Sequence, residues 1–221
     1  MARQKDQSAR RRDLVSAASH AIVEVGLAGL RVRDVAASAG ISAGLVTYYF
    51  HDLGELTLEV HADAVRRFYL ARRKAVSPMD DPRRQLLELV RLGVPDSPDD
   101  LTCRVLYEFH LHAGRSSAHA VLMTSLWEQE VSLYELVLQR GVERGAFELR
   151  APVREVAETA VALEDAVGLH VVARNAMMTP EAALRLVVGL LERETSSLLS
   201  ELPDEPAPAV VPTGGYTGYT G

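Results

Sequence analysis

The sequence has almost no cysteine, which limits the stabilisation and chemistry open to the chain. Cys103 is the single cysteine among 221 residues, so no disulfide can form within the chain. A chain of this length buries enough surface to fold without a covalent crosslink. One thiol is a poor start for a zinc site, and low cysteine usage suits a reducing compartment. We therefore expect neither a disulfide framework nor a bound metal.

Long hydrophobic runs are missing as well. No stretch of about eighteen uncharged apolar residues occurs, and the basic N-terminus has no apolar segment behind it. The sequence therefore predicts a cytoplasmic protein that does not associate with a membrane.

The sequence also lacks the short motifs of common catalytic sites. It contains no glycine-rich phosphate loop, no nucleophile elbow and no His-Glu-x-x-His pair. A helical hydrolase using His170 with Glu164 or Asp165 is an alternative, but these carboxylates do not stand three or four residues from the histidine. Only those spacings align side chains on a helix. We therefore predict no catalytic residue, no enzyme activity and no cofactor.

Charge is divided unevenly along the chain. Residues 1–56 carry a formal charge of +1, whereas the whole chain carries −6, which leaves −7 for the remainder. An acidic body with a neutral-to-basic N-terminal segment is compatible with nucleic acid at one end only. Ordinary charge on solvated helix faces explains the same distribution.

Apolar residues recur at helical spacing along most of the chain, and no strand pattern competes. Helix starts are marked by Asp52 with Glu55, by Pro152, and by the pairs Asp81-Pro82, Ser97-Pro98 and Thr179-Pro180. These signals predict an all-α fold of about nine helices, at 8–26, 33–39, 43–50, 53–75, 82–93, 98–113, 117–145, 152–175 and 180–201.

The predicted helices group into two domains followed by a tail. A smaller domain is expected at 1–52 and a larger helical domain at 53–202. Residues 203–221 are rich in proline and end in a Gly-Tyr-Thr repeat, a composition that predicts disorder.

Two short helices separated by Gly40, Ile41 and Ser42 indicate a helix-turn-helix. Gly40 suits a left-handed turn, and the hydroxyl of Ser42 can cap the next helix. The small side chains of Ala36 and Ala39 allow close packing of the two helices. The helix at 43–50 then keeps a free face for the major groove of DNA.

Three motifs follow one another through this segment, and they are Val32-Arg33-Asp34-Val35-Ala36, Ala39-Gly40-Ile41-Ser42 and Gly44-Leu45-Val46-Thr47-Tyr48-Tyr49-Phe50. In their order and spacing they resemble the DNA-binding domain of the TetR family of transcriptional repressors, and the resemblance covers residues 10–60. It implies that the domain at 1–52 binds DNA.

The resemblance implies which residues meet DNA. These DNA-binding residues are Arg33, Ser42, Ala43, Gly44, Leu45, Thr47, Tyr48 and Tyr49. Phe50 would pack inward, whereas the two tyrosines would donate their hydroxyls to phosphates. The chain departs from the family at Thr47, where tyrosine is frequent, and at Leu53, where a lysine often reaches a phosphate. The helix terminus would act alone at the latter position.

Other interpretations of these residues stay open. Tyr48, Tyr49 and Phe50 could form a simple core cluster, and the basic run at 10–12 could be either a phosphate-binding arm or a solvated segment. A helical adaptor that binds only proteins is a third function, but it would leave the tyrosine-bearing helix without a purpose.

The C-terminal helices are expected to form the dimer. Helices 152–175 and 180–201 would pair with their symmetry mates in a four-helix bundle, and a two-fold dimer matches a palindromic operator. The apolar stripes that suggest this pairing are Val156, Ala160, Leu163, Val167 and Val171, then Leu184, Val187, Val188, Leu191, Leu198 and Leu199.

The resemblance also implies that 53–202 is a ligand-binding and dimerisation domain, with a pocket between helices for a small-molecule effector. Candidate ligand-binding residues are Tyr107, His110, Met123, Trp127 and Tyr134, although each taken alone is more typical of plain core than of a ligand contact. His110 and His112 are two residues apart, so on a helix they do not chelate one metal together. The predicted function is a repressor that a small molecule releases from a palindromic operator.

Overall fold

The computed structural model describes the backbone of residues 2–199 and the side chains of residues 7–199. These residues form nine α-helices and one short 3-10 helix, without a strand, which confirms the predicted all-α fold. The helices are α1 Ala2–Val25, α2 Val32–Ala39, α3 Ala43–Tyr49, α4 Leu53–Val76, α5 Pro82–Gly93, α6 Leu101–Ala113, α7 Ser117–Glu143, α8 Val153–Val172 and α9 Pro180–Thr195, with the 3-10 helix at Leu27–Gly29. The predicted tail at 203–221 lies outside the described residues.

Capping side chains start four of the helices where the sequence predicts them. Oxygens of Ser42, Asp52, Asp81 and Thr179 each accept a hydrogen bond from an amide in the first turn of α3, α4, α5 and α9. Each bond satisfies an amide that has no partner within its own helix. These short-range signals therefore fix the helix starts.

The predicted start of α6 was wrong. The helix begins at Leu101 and not at Pro98, because Ser97 to Asp100 form a turn in which the amide of Asp100 donates to the carbonyl of Ser97 at 3.2 Å. Asp100 then caps the helix by accepting from the amide of Cys103 at 3.0 Å. A proline after a capping residue therefore marks a turn here.

The last two helices end earlier than predicted. Helix α8 stops at Val172 and α9 at Thr195, and the chain then adopts positive φ at Arg174 (57°) and Ser196 (50°). Left-handed backbone breaks a helix. Pro152 precedes α8 as its capping residue and is not its first helical residue.

Two clusters of buried side chains form the interior. The first joins α1–α3 and the first half of α4 to α6 and one residue of α7, as shown by Phe50, Val60 and Phe109. The second joins α5, α7, α8 and α9, and Val76 at the end of α4 belongs to it. Helix α4 therefore contributes to both interiors.

The apolar stripes of α8 and α9 pack inside the chain. Val156, Val167 and Val171 expose at most 4% of their surface, and Val187 and Leu191 expose none. These residues meet α5 and α7 in the second cluster and do not face a partner chain, whereas Leu198 of the predicted stripe is 58% exposed. The pairing of the two helices with their symmetry mates stays a prediction. Periodicity identifies the buried face of a helix but not the chain that covers it.

Candidate nucleic-acid interface and ligand cavity

A glycine turn sets the angle between α2 and α3. Gly40 has φ 65°, a conformation that a residue with a Cβ adopts only at a cost. Beyond it, the amide of Ile41 donates to the carbonyl of Ala36 at 3.0 Å. Ser42 then accepts from the amide of Leu45 at 3.3 Å, which opens α3 directly after the turn.

One face of α3 is held in the first interior. Val46 and Phe50 expose 2% and 1% of their surface, beside the buried Val35 and Ala36 of α2. Phe50 thus packs inward, as the resemblance implies. A helix of only seven residues is fixed in this way by its neighbours and not by its own length.

The opposite face of α3 is open to solvent. Tyr48 is 67% exposed, Thr47 is exposed, and Tyr49 is half-buried with its ring 5.1 Å from that of Tyr48. Of the aromatic residues here, only Phe50 lies in the core. The predicted residues on this exposed face, here called the reading face, are Ser42, Ala43, Gly44, Leu45, Thr47 and Tyr48.

The hydroxyl of Thr47 is already used within the helix. It donates to the carbonyl of Gly44 at 3.0 Å. Its methyl group and its acceptor lone pairs remain for an outside contact. Thr47 can therefore meet a thymine methyl or a base donor without breaking a bond of its own.

Arg33 lies at the start of α2 with 73% of its side chain exposed. Its Nε is 3.7 Å from a carboxylate oxygen of Asp34. That carboxylate also accepts from the amide of Arg31 at 2.8 Å, and so satisfies the helix start where no serine or threonine is present. The guanidinium of Arg33 is left largely in solvent, where a phosphate could approach it.

Arg11 is a structural residue that sequence reasoning missed. Its guanidinium donates to the carbonyl of Tyr49 at 2.5 Å, to Glu55 at 2.9 Å and to Glu59, and it lies 4.2 Å from the ring centre of Phe50. The hydrogen bond from Arg11 lowers the pKa of Glu55. Arg11 therefore ties α1 to the end of α3 and the start of α4.

The spacing of the basic run could have separated Arg11 from its neighbours. Arg11 stands one turn before Leu14 and two turns before Ala18, both of which are buried, so it continues the inner stripe of α1. Arg10 pairs with Asp13 at 3.8 Å, and Arg12 is exposed. The run belongs to α1 and is not a separate arm.

A cavity of about 310 Å³ lies between α6, α7 and α8. Three predicted ligand-binding residues come together there, His110, Met123 and Trp127. The remaining lining residues are Thr124, Leu126, Glu130 and Asp165, of which the carboxylates were not predicted. The pKa of His110 is raised, mainly by the carboxylate of Asp165, which lies 3.9 Å from its Nε2.

The other two predicted ligand-binding residues do not line this cavity. Tyr107 lies behind His110, with ring centres 5.5 Å apart. Tyr134 is fully buried, and its hydroxyl donates to Glu164. Tyr134 therefore contributes to the interior of the protein.

A buried ion cluster adjoins the cavity. It consists of Arg72 of α4, Glu130 and Tyr134 of α7, and Glu164 of α8. Arg72 exposes none of its surface and contacts Glu130 at 2.6 Å, Glu164 at 3.1 Å and the carbonyl of Leu89 at 3.0 Å. Its Nε finds no acceptor among the described residues. The cluster links α4, α5, α7 and α8.

A glycine makes room for this cluster. A Cβ at Gly93 would lie 2.2 Å from Oε1 of Glu164, so any larger residue would displace the carboxylate. The cluster also had a sequence signal, because Arg72 and Glu164 stand at apolar positions of otherwise periodic helices. A charged residue at an apolar position of a helix can indicate a buried ion pair and does not always indicate that the apolar periodicity ends.

Two carboxyl groups share one guanidinium in this cluster. Burial raises the pKa of Glu130 to about 8 and that of Glu164 to about 7, although Arg72 acts in the opposite direction. Burial therefore favours a proton shared by the two carboxyl groups over two full negative charges beside one guanidinium.

The residues of the hydrolase alternative are kept apart. Glu164 is engaged with Arg72, whereas His170 is exposed and lies 3.1 Å from the side chain of Asn175. Among the described side chains, no group of three or more His, Cys, Asp or Glu is placed to hold a metal ion. Within residues 2–199, no helix has both the length and the apolar character needed to cross a membrane.

Comparison with known sequences identifies the N-terminal segment. Residues 14–60 match the model of the bacterial regulatory proteins, tetR family. The HTH-type transcriptional regulator BetI of Burkholderia ambifaria is 28% identical over 178 residues, which cover 80% of this chain and 89% of that protein. BetI of Escherichia coli is 36% identical over 87 residues, 38% of this chain and 44% of that protein.

Comparison with solved structures extends the likeness over most of the chain. A transcriptional regulator from Saccharomonospora viridis, solved in complex with choline, aligns with a TM-score of 0.77 and 19% identity, covering 85% of this chain and 98% of that one. A TetR transcription regulator from Haloarcula marismortui aligns with a TM-score of 0.77 and 18% identity, covering 85% and 99%. At these identities the match establishes the fold.

The family match falls on the helices that present the reading face, and the relatives found by sequence are transcriptional regulators. Residues 14–60 therefore match the DNA-binding segment of the tetR family, and over most of its length the chain is similar to helix-turn-helix transcriptional regulators.

Proposed function

We propose that the chain is a homodimeric repressor that binds an approximately palindromic operator and leaves it when a small-molecule effector binds. The observation that carries this proposal is the reading face of α3, which is exposed while the other side of the helix is fixed in the interior. The major groove is wide enough to admit such a helix.

The DNA contacts divide by chemistry. Tyr48 and Tyr49 would donate to phosphates, and Arg33 would meet a phosphate or a base edge. Thr47 would contact a base. The remaining proposed DNA-binding residues lie at the start of α3, where backbone amides and small side chains allow close approach, namely Ser42, Ala43, Gly44 and Leu45.

The outer face of α8 and α9 supports the dimer. Leu169 and Leu186 are 51% and 49% exposed, and small residues stand three or seven positions from them on the same helices, namely Ala162, Ala166 and Gly189. Helices that present small side chains can approach a partner closely. A two-fold axis through this face would present two copies of α3 to half-sites about 34 Å apart, or a multiple of that distance.

We place the effector in the cavity between α6, α7 and α8, within the proposed domain at 53–202, and propose that it is a small organic cation. The cavity joins the indole of Trp127 to the carboxylates of Glu130 and Asp165. An indole face attracts a cation, and a carboxylate balances its charge. The regulator from Saccharomonospora viridis with the same fold is solved with choline, itself an organic cation.

The proposed mechanism is a population shift. The effector favours a conformer in which α4 holds the two reading faces out of register with successive major grooves. A difference in effector affinity of about 1–3 kcal/mol between the two conformers is typical of such coupling.

The direct test is a titration of DNA from beside the chain's own gene with purified protein at low salt. We expect a saturable, sequence-dependent complex that a small organic cation dissociates. If the DNA stays unbound at micromolar protein, the repressor proposal fails.

A further inference from the structure

Glu130 faces two neighbours at once. It lines the cavity, and its Oε1 is 2.6 Å from the guanidinium of Arg72 on α4. We propose that a cation in the cavity and Arg72 compete for this carboxylate, so that filling the cavity weakens the attachment of α4 to α7. This inference rests on the proposed function, because it assumes that the cavity receives an organic cation.

The competition follows from burial and charge. Glu130 is 5% exposed and Arg72 is fully buried, so water screens neither group. A second positive charge beside Glu130 would share its carboxylate and would also repel Arg72 directly. The repulsion is strong at such short range because the surroundings are poorly polarisable.

Arg72 has other hydrogen-bond acceptors besides Glu130. It also contacts Glu164 of α8 and the carbonyl of Leu89 of α5, and its Nε has no acceptor among the described residues. Loss of Glu130 would therefore move the guanidinium toward α5 and α8 and would not leave it without a partner. The cluster can change its geometry while it stays charged and buried.

The shared proton adds a second signature. Burial raises the pKa of Glu130 and of Glu164, which favours a proton shared between them, and the pKa of His110 on the cavity wall is raised as well. A cation in the cavity adds positive charge beside these groups and so favours the loss of protons to the solvent. Binding of the cation should therefore release protons.

Helix α4 carries the change to the reading face. It runs unbroken from Leu53 to Val76, a length of roughly 36 Å at the rise of an α-helix. Arg72 lies near one end, and at the other end Glu55 and Glu59 hold Arg11, which also binds the carbonyl of Tyr49 at the end of α3. A tilt of α4 that begins at Arg72 would therefore move α3 through the contacts of Arg11.

The first experiment measures cation binding by the fluorescence of Trp127, the single tryptophan of the chain. Choline is the probe, and 3,3-dimethylbutan-1-ol is its uncharged isostere. We expect choline to bind saturably, the alcohol to bind at least about tenfold more weakly, and Glu130→Gln to weaken choline binding by at least about tenfold. Glu128→Gln, an exposed change on the same helix, should leave binding unchanged.

The second experiment separates coupling from binding. In Arg72→Met the competitor for Glu130 is gone, so choline should bind more tightly while the affinity for operator DNA no longer responds to choline. If Arg72 only stabilised the fold, its replacement would weaken both choline binding and operator binding. Should circular dichroism show that this variant is unfolded, calorimetry of the wild-type protein in phosphate and in Tris at pH 7 tests proton release directly.

Each failure is distinguishable. An unchanged choline affinity in Glu130→Gln, a choline response that survives in Arg72→Met, or equal binding enthalpies in the two buffers would overturn the inference. The absence of any saturable choline effect would also overturn it, whereas the operator titration would stand. Choline binding that depends on Glu130 in a protein without operator affinity would refute the repressor proposal alone.

Discussion

Thr47 and Tyr48 are adjacent on α3, but their contributions to DNA binding should differ. Tyr48→Phe removes one hydroxyl that we assign to a phosphate, so it should weaken binding by about 1 kcal/mol on every sequence. Thr47→Ala should instead change the preference for one base pair. Fluorescence anisotropy with matched and singly mismatched operators separates these effects. Equal losses on all sequences for both variants would contradict the assignment of Thr47.

Arg11 should matter for stability, whereas its neighbour should not. Arg11→Met removes the bonds to Tyr49, Glu55 and Glu59, and we expect a loss of about 1–2 kcal/mol in the free energy of unfolding, reduced by partial exposure of the pair. Arg12→Met is the matched control, because Arg12 is exposed. Urea denaturation measures both variants. A similar stability for the two would show that the contacts of Arg11 contribute nothing.

At the scale of single residues, the sequence predicted which side chains of α3 are exposed better than it predicted the buried ion pairs. Thr47 and Tyr48 were assigned from an ordered motif, and the structure exposes both. The pair of Glu130 and Arg72 was missed because these two residues lie 58 positions apart along the chain. Such pairs depend on helix packing, which periodicity alone does not determine.

Three helices meet at a histidine pair whose protonation should matter for stability. His61 of α4 is fully buried, stacks on Phe109 of α6 at 4.4 Å, and has its Nδ1 3.0 Å from that of His119 of α7. Burial lowers the pKa of His61 from 6.5 to about 4, and the nearby His119, His110 and His112 add to the effect. The folded state therefore holds this imidazole neutral.

The sign of the pH effect follows from the lowered pKa. The contribution of neutral His61 is complete above pH 6.5 and is lost as the pH falls toward 4. Between pH 7 and 4.5, wild type should lose about 2 kcal/mol more stability than His61→Leu, as measured by urea unfolding. The exposed His20→Leu serves as the control and should follow wild type. Parallel curves for all three proteins would contradict this prediction.

At the scale of elements, caps were predictable and helix ends were not. Ser42, Asp52, Asp81 and Thr179 cap the helices that their positions predict, because a cap is a contact within a few residues. The end of α9 depends on the left-handed conformation of Ser196, a residue that carries no strong signal for it. Helix starts could therefore be predicted from neighbouring residues, whereas helix ends that depend on tertiary packing could not.

At the scale of the whole molecule, the outer face of α8 and α9 should decide the oligomeric state. Leu186→Glu places a charge in the middle of the proposed dimer interface, so we expect a monomer and at least about a tenfold loss of operator affinity. Leu111→Glu is the control, because Leu111 is 89% exposed on α6. Light scattering after size exclusion measures the mass. A dimeric Leu186→Glu protein would place the interface elsewhere.

The first interior has a consequence for protein engineering. Val105, Phe109 and Leu126 belong to it, and α6 also binds the backbone of the N-terminal helices, since Arg104 donates to Val23 and Glu108 accepts from Leu27, both at 2.9 Å. In a chimera joined at residue 52, the transplanted helices α1–α3 would pack against the α6 of a different protein. Grafts that also exchange the inward side chains of α6 should keep their native operator choice, so the unit of exchange is larger than the helix-turn-helix.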